Sequence, residues 1–305
     1  DGSQTAEAIL SWADAAMYEA KLQGRNQVVV RPAEAEDWAR LNEHWAWVQR
    51  FKHALDDNRF LFHYQPIVRL ADGKVAGYEA LLRLQDEEGQ LISPGEFLPV
   101  AEQAGRMRQV DEWVIENVVR VLREHPDVFL SVNLSGQALN DEDLIDSLLE
   151  QLRSLGSHPP RLGIEITETM VIRDFPMARR CIERLRAAGC KIYLDDFGSG
   201  FNSFAYLRHL SADVLKIDGT LIRDLKDNPQ HQAMVRAIKV LADGFALETV
   251  AEFVDDEETA RMLREFGITY GQGYYFSKPG AGLGALGGGL HGQRLPMEGH
   301  EGASG

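Results

Sequence analysis

The chain of 305 residues contains no apolar run of about 18 residues, the length that a transmembrane helix requires. It opens on the polar stretch DGSQTAEAIL, which lacks the basic segment of a signal peptide and does not begin with methionine. We therefore expect a fragment that makes no membrane contact itself, from a longer parent that could carry a membrane anchor. With only two cysteines, Cys181 and Cys190, we expect buried reduced thiols and a cytoplasmic location.

Positive charge is also scarce. Lys and Arg number 32 against 47 Asp and Glu, which gives a formal net charge of −15. A protein that binds nucleic-acid polymers needs a basic surface to neutralise the phosphates, so this balance argues against such a partner. It still allows a small ligand that carries phosphate, provided that metal ions lie between the ligand and the acidic side chains.

From about residue 58 onward, short apolar runs alternate with helical patterns. Eight runs are predicted to be strands: FLFHYQPIV, VAGYEALLRL, VFLSVNLS, RLGIEIT, CKIYLDD, ADVLKID, LETVAEF and GITYGQGYYF. This alternation predicts an α/β fold, and eight such strands predict a TIM-like (β/α)8 barrel. Only RLADGK separates the first two runs, so one strand should be antiparallel. An open doubly wound sheet is the alternative, but the G-x-G-x-x-G loop that it usually carries is missing.

Other segments flank the predicted barrel at residues 58–280. Residues 1–31 hold a short helical segment followed by a strand, and residues 32–57 are predicted to form a linker helix. Residues 281–305 are rich in glycine and are predicted to be a flexible tail.

Polar residues follow the apolar part of seven predicted strands. They are Glu79, Asn133, Glu165, Asp195 with Asp196, Lys216 with Asp218, Glu252 and Gln272. The strands of such a barrel end on one face, where the active sites of this fold are built. A single acid at a strand end is more often solvated or a helix N-cap, and Asp196 before FGSG fits that role. That interpretation weakens when seven converging strands must each repeat it.

Five or more carboxylates at one barrel mouth would repel one another, and a single lysine cannot compensate them. Ligands that are all oxygen, without Cys or His, suit Mg²⁺ or Mn²⁺. The adjacent Asp195 and Asp196 are explained if they are shared between two ions, an arrangement that serves phosphoryl chemistry.

Glu79-Ala80-Leu81, followed by Arg83, begins a series of motifs that continues through YQPIV, VNLS, IEITET, DDFGSGFNSF, DVLKIDG, AEFV and GQGYYFSKP. In these motifs, over residues 58 to 280, the chain resembles the EAL family of cyclic di-GMP phosphodiesterases. The resemblance implies a barrel with one antiparallel strand. It also implies metal-dependent hydrolysis of cyclic di-GMP to linear pGpG in bacterial second-messenger signalling.

The resemblance implies a role for each matching residue. The metal ligands, for two Mg²⁺ or Mn²⁺ ions per site, would be Glu79, Asn133, Glu165, Asp195, Asp196 and Glu252. Lys216 would orient the attacking water, Glu252 would act as general base or support the second metal, and Glu79 would complete the catalytic set. Substrate contacts would come from Gln65, Arg83 and Gln272. Calcium should inhibit, because its looser coordination would misplace the water.

The resemblance also extends to the loop that follows the paired aspartates. Glu168 would stabilise this loop, Asp196 to Phe204, which in the family links metal binding to dimerisation; a homodimer through the EAL domain is therefore expected. The chain departs from the family at Phe253, where glycine is common, and at Asp255, where glutamate is common.

WADAAMYEAKLQGRNQVVV resembles the last helix and strand of a GGDEF, or diguanylate cyclase, domain, so residues 1–31 are predicted to be its C-terminal remnant. Two other functions stay open at this point. One is a catalytically weak or inactive receptor module that binds cyclic di-GMP, and the other is a different metal-dependent barrel enzyme such as an enolase-like proton abstractor.

Overall fold

The computed structural model describes residues 59–156, 161–167, 175–198 and 210–283, together with Ala54, Asp57 and Leu207. The chain divides into two units, Asp1–Asp57 and Asn58–Gly305, and the second is the one described below. The predicted GGDEF remnant, together with nearly all of the linker helix and of the predicted tail, lies outside the described residues. Glu168 and most of the loop after the paired aspartates lie outside them as well.

The strands close into a barrel. In chain order they are β1 (Phe60–Arg69), β2 (Val75–Gln85), β3 (Leu91–Ile92), β4 (Leu130–Asn133), β5 (Leu162–Thr167), β6 (Lys191–Phe197), β7 (Val214–Ile217), β8 (Glu248–Ala251), β9 (Tyr270–Gly271) and β10 (Gly280–Ala281). The order around the barrel is β1-β9-β8-β7-β6-β5-β4-β2, and pairing of β1 with β2 closes it. β1 is antiparallel to both β2 and β9, whereas the other neighbouring barrel strands are parallel. The predicted barrel with one antiparallel strand is confirmed.

Two features of the sheet differ from the sequence prediction. The run GITYGQGYYF contributes only the two residues of β9, because the backbone beyond it bonds to Val254: the Val254 N–H donates to the Gln272 carbonyl and the Tyr275 N–H donates to the Val254 carbonyl. The short strands β3 and β10, which extend the hydrogen bonding of β2 and β1, were not predicted.

Helices surround the strands: α1 (Pro94–Gln103), α2 (Met107–Glu124), a 3-10 turn (Ala138–Asn140), α3 (Glu142–Arg153), α4 (Phe175–Ala187), α5 (Gly219–Ile222), α6 (Pro229–Gly244) and α7 (Glu257–Glu265). The helical pattern between residues 95 and 125 is divided in two at Gly105, whose φ of 66° favours glycine. In the part of the chain that the structure describes, no helix is long and apolar enough to cross a membrane. Cys181 and Cys190 are both buried free thiols.

The barrel interior is layered. Side chains of a strand alternate between its two faces, so Tyr193 lies on the same face of β6 as Asp195, and Val214 on the same face of β7 as Lys216. A buried apolar cluster combines residues from four strands: Ile67, Tyr193, Val214 and Val250. Apolar packing therefore fills the middle of the barrel, and the polar side chains form the next layer towards the carboxyl ends of the strands.

Candidate active site

Lys216 is the centre of the polar layer. Its side chain is only 1% exposed, and its Nζ lies within salt-bridge distance of carboxylates from four other strands or strand ends. The distances are 2.5 Å to Glu165, 2.9 Å to Glu252, 3.2 Å to Asp195 and 3.6 Å to Glu79. The structure thus brings together five of the residues that the sequence predicts for one site.

The acids outnumber this lysine, and the pKa values reflect the imbalance. Burial alone would lower the pKa of Lys216, but the surrounding carboxylates together raise it well above its ordinary value. Burial and the nearby Glu79 charge hold the pKa of Glu165 well above normal, despite its bond to Lys216. Burial likewise raises the pKa of Glu252 to about 7. The cluster is short of positive charge.

A bulge in β6 brings the paired aspartates to the same place. Neighbouring side chains of a regular strand point to opposite faces, but the register between β6 and β7 shifts between Leu194 and Phe197. Asp196 has a φ of 58°, in the left-handed region, and its N–H donates to Asp195 Oδ1 at 3.0 Å. Carboxylate oxygens of Asp195, Asp196 and Glu252 all lie within 4.8 Å of one another.

Glu79 is held by a chain of amide groups. Its Oε1 accepts a hydrogen bond from Asn133 Nδ2 at 2.8 Å, and its Oε2 accepts one from Gln272 Nε2 at 2.6 Å. Gln272 Nε2 also donates to Gln65 Oε1 at 3.0 Å, and Gln65 Nε2 donates to the carbonyl of Ser277 at 3.2 Å. Gln65 and Gln272, predicted as substrate contacts, thus have protein partners that orient Glu79.

Arg83 lies further along β2, half-buried, and donates to the Leu82 carbonyl at 2.8 Å. Burial lowers the pKa of its guanidinium, while the Glu79 charge opposes this effect. Arg83 is therefore a further described cation whose charge interacts with Glu79, and its substrate contact stays a prediction.

A cavity of about 840 Å³ opens beside Asn133, between α1, α2 and the strands β2 and β4. Its walls are largely apolar and include Leu81, Pro94, Leu98 and Val114. The cavity is large enough for an aromatic base and reaches the polar layer at Asn133.

These features can be compared with known proteins. The family model described as the EAL domain matches residues 48–279, well over half of the chain. The chain belongs to the EAL domain family. Its motifs and its barrel both agree with that membership.

This EAL domain is similar to several curated proteins. The bifunctional diguanylate cyclase/cyclic di-GMP phosphodiesterase MucR of Pseudomonas aeruginosa is 36% identical over 281 residues, which cover 90% of this chain and 41% of MucR. The cyclic di-GMP phosphodiesterase PdeB of Shewanella oneidensis is 33% identical over 279 residues, which cover 90% of this chain and 33% of PdeB. The chain therefore spans about two fifths or less of the length of these relatives.

A solved structure described as PaMucR phosphodiesterase in complex with c-di-GMP superposes with a TM-score of 0.73 and 34% identity. The match covers 79% of this chain and 99% of that one. The EAL barrel described above is therefore shared with a relative that binds c-di-GMP.

The residues of this EAL domain fit a divalent metal ion. The donors are carboxylate and amide oxygens, which suit hard ions. Glu165 Oε1 is buried, and no hydrogen-bond partner is found for it. Because a buried carboxylate oxygen without a partner is costly, an ion at this position would satisfy it.

Sequence reasoning missed Asp111, on α2. Its side chain is 2% exposed and accepts hydrogen bonds from the Ser135 N–H at 3.0 Å and the Ser135 Oγ at 2.5 Å. Ser135 follows Asn133 by two residues, so Asp111 fixes the start of the loop after β4. A signal was present, because Asp111 stands among the buried apolar positions of an amphipathic helix.

Proposed function

We propose that this EAL domain hydrolyses cyclic di-GMP to linear pGpG. The observation that carries the proposal is the buried cluster of four carboxylates around Lys216 at the carboxyl ends of the strands. The names of MucR and PdeB, and the c-di-GMP complex among the solved relatives, support this substrate. Such a carboxylate cluster can hold divalent cations, and those cations would offset the negative charge of a phosphodiester.

Mg²⁺ or Mn²⁺ is the cofactor that the donors favour, with two ions per site. The residues that would hold them are Glu79, Asn133, Glu165, Asp195, Asp196 and Glu252. Bound there, the ions would lower the pKa of water and stabilise charge on the phosphate. The orphaned Glu165 oxygen and the bulge that joins Asp195 with Asp196 support this ligand set.

The chain's own residues would orient the water and move its proton. Lys216 Nζ, held between Glu165 and Glu252, is a rigid donor that can fix a lone pair of the water. The water oxygen attacks phosphorus, its proton passes to the Glu252 carboxylate, and the bond from phosphorus to the ribose 3′ oxygen breaks. The leaving 3′ oxygen takes up a proton from solvent, Glu252 returns its proton to solvent, and the single linear product carries a 5′ phosphate and a 3′ hydroxyl.

The cavity beside Asn133 would take one guanine base. Its apolar walls suit the faces of a purine, and Arg83 would lie near the sugar-phosphate backbone. Substrate contact through Gln65 and Gln272 requires their present hydrogen bonds to rearrange, so we assign both residues chiefly to holding Glu79.

The test is chromatography of the products from cyclic di-GMP with Mg²⁺, Mn²⁺, Ca²⁺ or chelator. We expect pGpG with Mg²⁺ or Mn²⁺ only, and inhibition by Ca²⁺. Glu79→Gln should abolish turnover, while Glu116→Gln, an exposed change on α2, should not. Tight binding without product would instead identify a receptor module, and neither binding nor turnover would reopen the assignment to another barrel enzyme.

We also infer a homodimer. An apolar strip runs along α6 at helical spacing, through Ala233, Ala237 and Val240, with Met234 beside it. Val240 is 73% exposed and Met234 is 42% exposed, which a second copy of the barrel would cover. Light scattering tests this by comparing the molar mass of the unsubstituted chain, expected to be a dimer, with that of Val240→Glu, which should be a monomer. That Glu168 stabilises the loop after the paired aspartates, and that this loop links metal binding to dimerisation, both stay predictions.

We infer that this chain belongs to a longer protein, that the segment described here is cytoplasmic, and that a GGDEF domain precedes the barrel. The likeness of residues 1–31 to the end of such a domain supports this, as does the bifunctional name of MucR. Expression of the longer parent, followed by a test for cyclic di-GMP synthesis from GTP, would check for an active cyclase.

A further inference from the structure

Phe253, directly after Glu252, has an unusual backbone. Its φ is 51°, in the left-handed region, and among the residues with described coordinates only Asp196 and Ala246 share this feature without being glycine. A bulky aromatic residue is disfavoured there, because its Cβ approaches the following carbonyl. The sequence keeps a phenylalanine at a position that would suit glycine.

The Phe253 ring is fixed in place by α5. The guanidinium carbon of Arg223 lies 4.2 Å from the ring centroid, within the range of a cation–π contact. Gly219 packs against the same ring so closely that a methyl group there would overlap it. Gly219 and Arg223 are four residues apart and line one side of the helical turn. The ring is thus supported from one side, yet Phe253 remains 46% exposed.

This supported ring lies across the barrel mouth from the cavity beside Asn133. The cavity adjoins β2 and β4, whereas Phe253 follows β8 and packs on the segment after β7. Phe62 of β1 and Thr167 of β5 also line the cavity, so in the strand order β6 separates the two places on one side and β9 separates them on the other. The carboxylates and Lys216 lie between them.

Cyclic di-GMP has matching symmetry, with two guanines attached to opposite sides of one ribose-phosphate ring. If the scissile phosphate lies over Lys216 and one base enters the cavity, the second base extends towards β7 and β8. We propose that Phe253 is the stacking platform for this second guanine and so a determinant of substrate affinity. The proposal rests on the proposed function, and it adds a binding residue that the metal and catalytic sets do not contain.

An exposed aromatic face suits a purine because every base offers a π face and stacking excludes water from both surfaces. Stacking acts on the bound substrate as a whole rather than on the reacting phosphorus. Its loss should therefore raise KM and leave kcat nearly the same.

The test compares Phe253→Leu, Phe253→Trp and Phe253→Gly with the parent. We expect Leu and Gly to raise KM for cyclic di-GMP about tenfold, near the lower end of measured base stacking. Trp should keep KM within about twofold of the parent value, since it offers an aromatic face. Gly accepts the left-handed backbone, so that variant should fold at least as well as the parent.

Two controls separate stacking from structural damage. Phe245→Leu removes another exposed phenylalanine, 41% exposed and next to the start of β8 at the opposite end of the barrel, and should not change KM. Gly219→Ala should reproduce the rise in KM without changing Phe253, because it displaces the ring. A KM for Phe253→Gly within about twofold of the parent's would overturn the proposal.

Bis(p-nitrophenyl) phosphate, a diester without purines, separates this proposal from the proposed function. We expect Phe253→Leu to lower about tenfold the ratio of kcat/KM for cyclic di-GMP to that for this small diester. An equal loss on both substrates would refute stacking. If the parent shows no turnover, calorimetry of cyclic di-GMP binding in Ca²⁺ decides: weaker binding by the variant supports stacking, while absent or unchanged binding overturns it.

Discussion

Replacing Asp111 with asparagine should make the stability of the barrel less dependent on pH. Burial raises the pKa of Asp111 to about 6, although two hydrogen bonds from Ser135 oppose the rise and the charges of Asp141 and Glu112 add to it. The ordinary value of 3.8 applies in the unfolded chain, so the folded protein holds the Asp111 proton more tightly. The sign follows: ionisation of Asp111 destabilises the fold.

The magnitude comes from the gap between the two pKa values. A difference from 3.8 to about 6 corresponds to about 3 kcal/mol, at about 1.4 kcal/mol per pH unit. The contribution of Asp111 is most favourable below pH 3.8, falls between pH 4 and 6, and stays at its lowest value above pH 6. Asparagine does not titrate, and the lost acceptor for Ser135 costs the same at every pH.

The assay is urea unfolding of the parent and of Asp111→Asn at pH 4, 5, 6 and 7.5. The unfolding free energy of the variant, minus that of the parent, should rise by about 2 kcal/mol from pH 4 to pH 7.5, which is most of the full difference. Asp227→Asn, an exposed matched change, should show no such trend. A difference for Asp111→Asn that is constant with pH would refute the argument that burial governs this carboxyl group.

Three further predictions test the site. Gln272→Leu removes the two hydrogen bonds that Gln272 Nε2 donates to Gln65 and Glu79 and should weaken Mn²⁺ binding roughly 10- to 100-fold by calorimetry, whereas equal affinity would show that the amide chain does not position Glu79. Lys216→Met leaves four carboxylates without their cation and should lower the free energy of unfolding by about 3–5 kcal/mol in chelator. In thermal unfolding, Mg²⁺ should stabilise this variant more than it stabilises the parent. An equal effect of Mg²⁺ on both proteins would count against a charge deficit that the lysine and the metal share. Asp196→Gly and Ala246→Gly should each gain about 1 kcal/mol of stability by relieving a left-handed backbone, but only Asp196→Gly should lose turnover.

The barrel could be predicted from the sequence because its strands are continuous apolar runs and its helices are amphipathic. The antiparallel β1 followed from the short RLADGK connection alone. The length of β9 could not be predicted, since Gln272 and Tyr275 continue the apolar run while their backbone groups bond to Val254 outside the strand.

That the strand-end acids and Lys216 would cluster could also be predicted, but not how they are held. Counting polar residues at strand ends identifies Glu165 and Lys216, whereas their 2.5 Å contact depends on the curvature of the closed sheet. Gln65 and Gln272 were expected to face substrate, and the structure pairs them with each other because β1, which carries Gln65, lies beside β9, which Gln272 directly follows. Asp111 belongs to a helix, so a search of strand ends could not find it.

The left-handed residues show where this domain departs from the most stable backbone. Ala246 lies in the turn before β8, at the end of the barrel away from the site, while Asp196 and Phe253 immediately adjoin Asp195 and Glu252. A left-handed residue reverses the usual alternation of side chains, and this allows two consecutive residues to serve one site. For Asp196 the result is a second carboxylate beside Asp195; for Phe253 it is a ring that extends over α5 and not into the barrel. A left-handed residue thus has a different use at each of the two strand ends. At Asp196 it adds a carboxylate to the site that would bind the phosphate, and at Phe253 it presents an apolar face on which a base would stack.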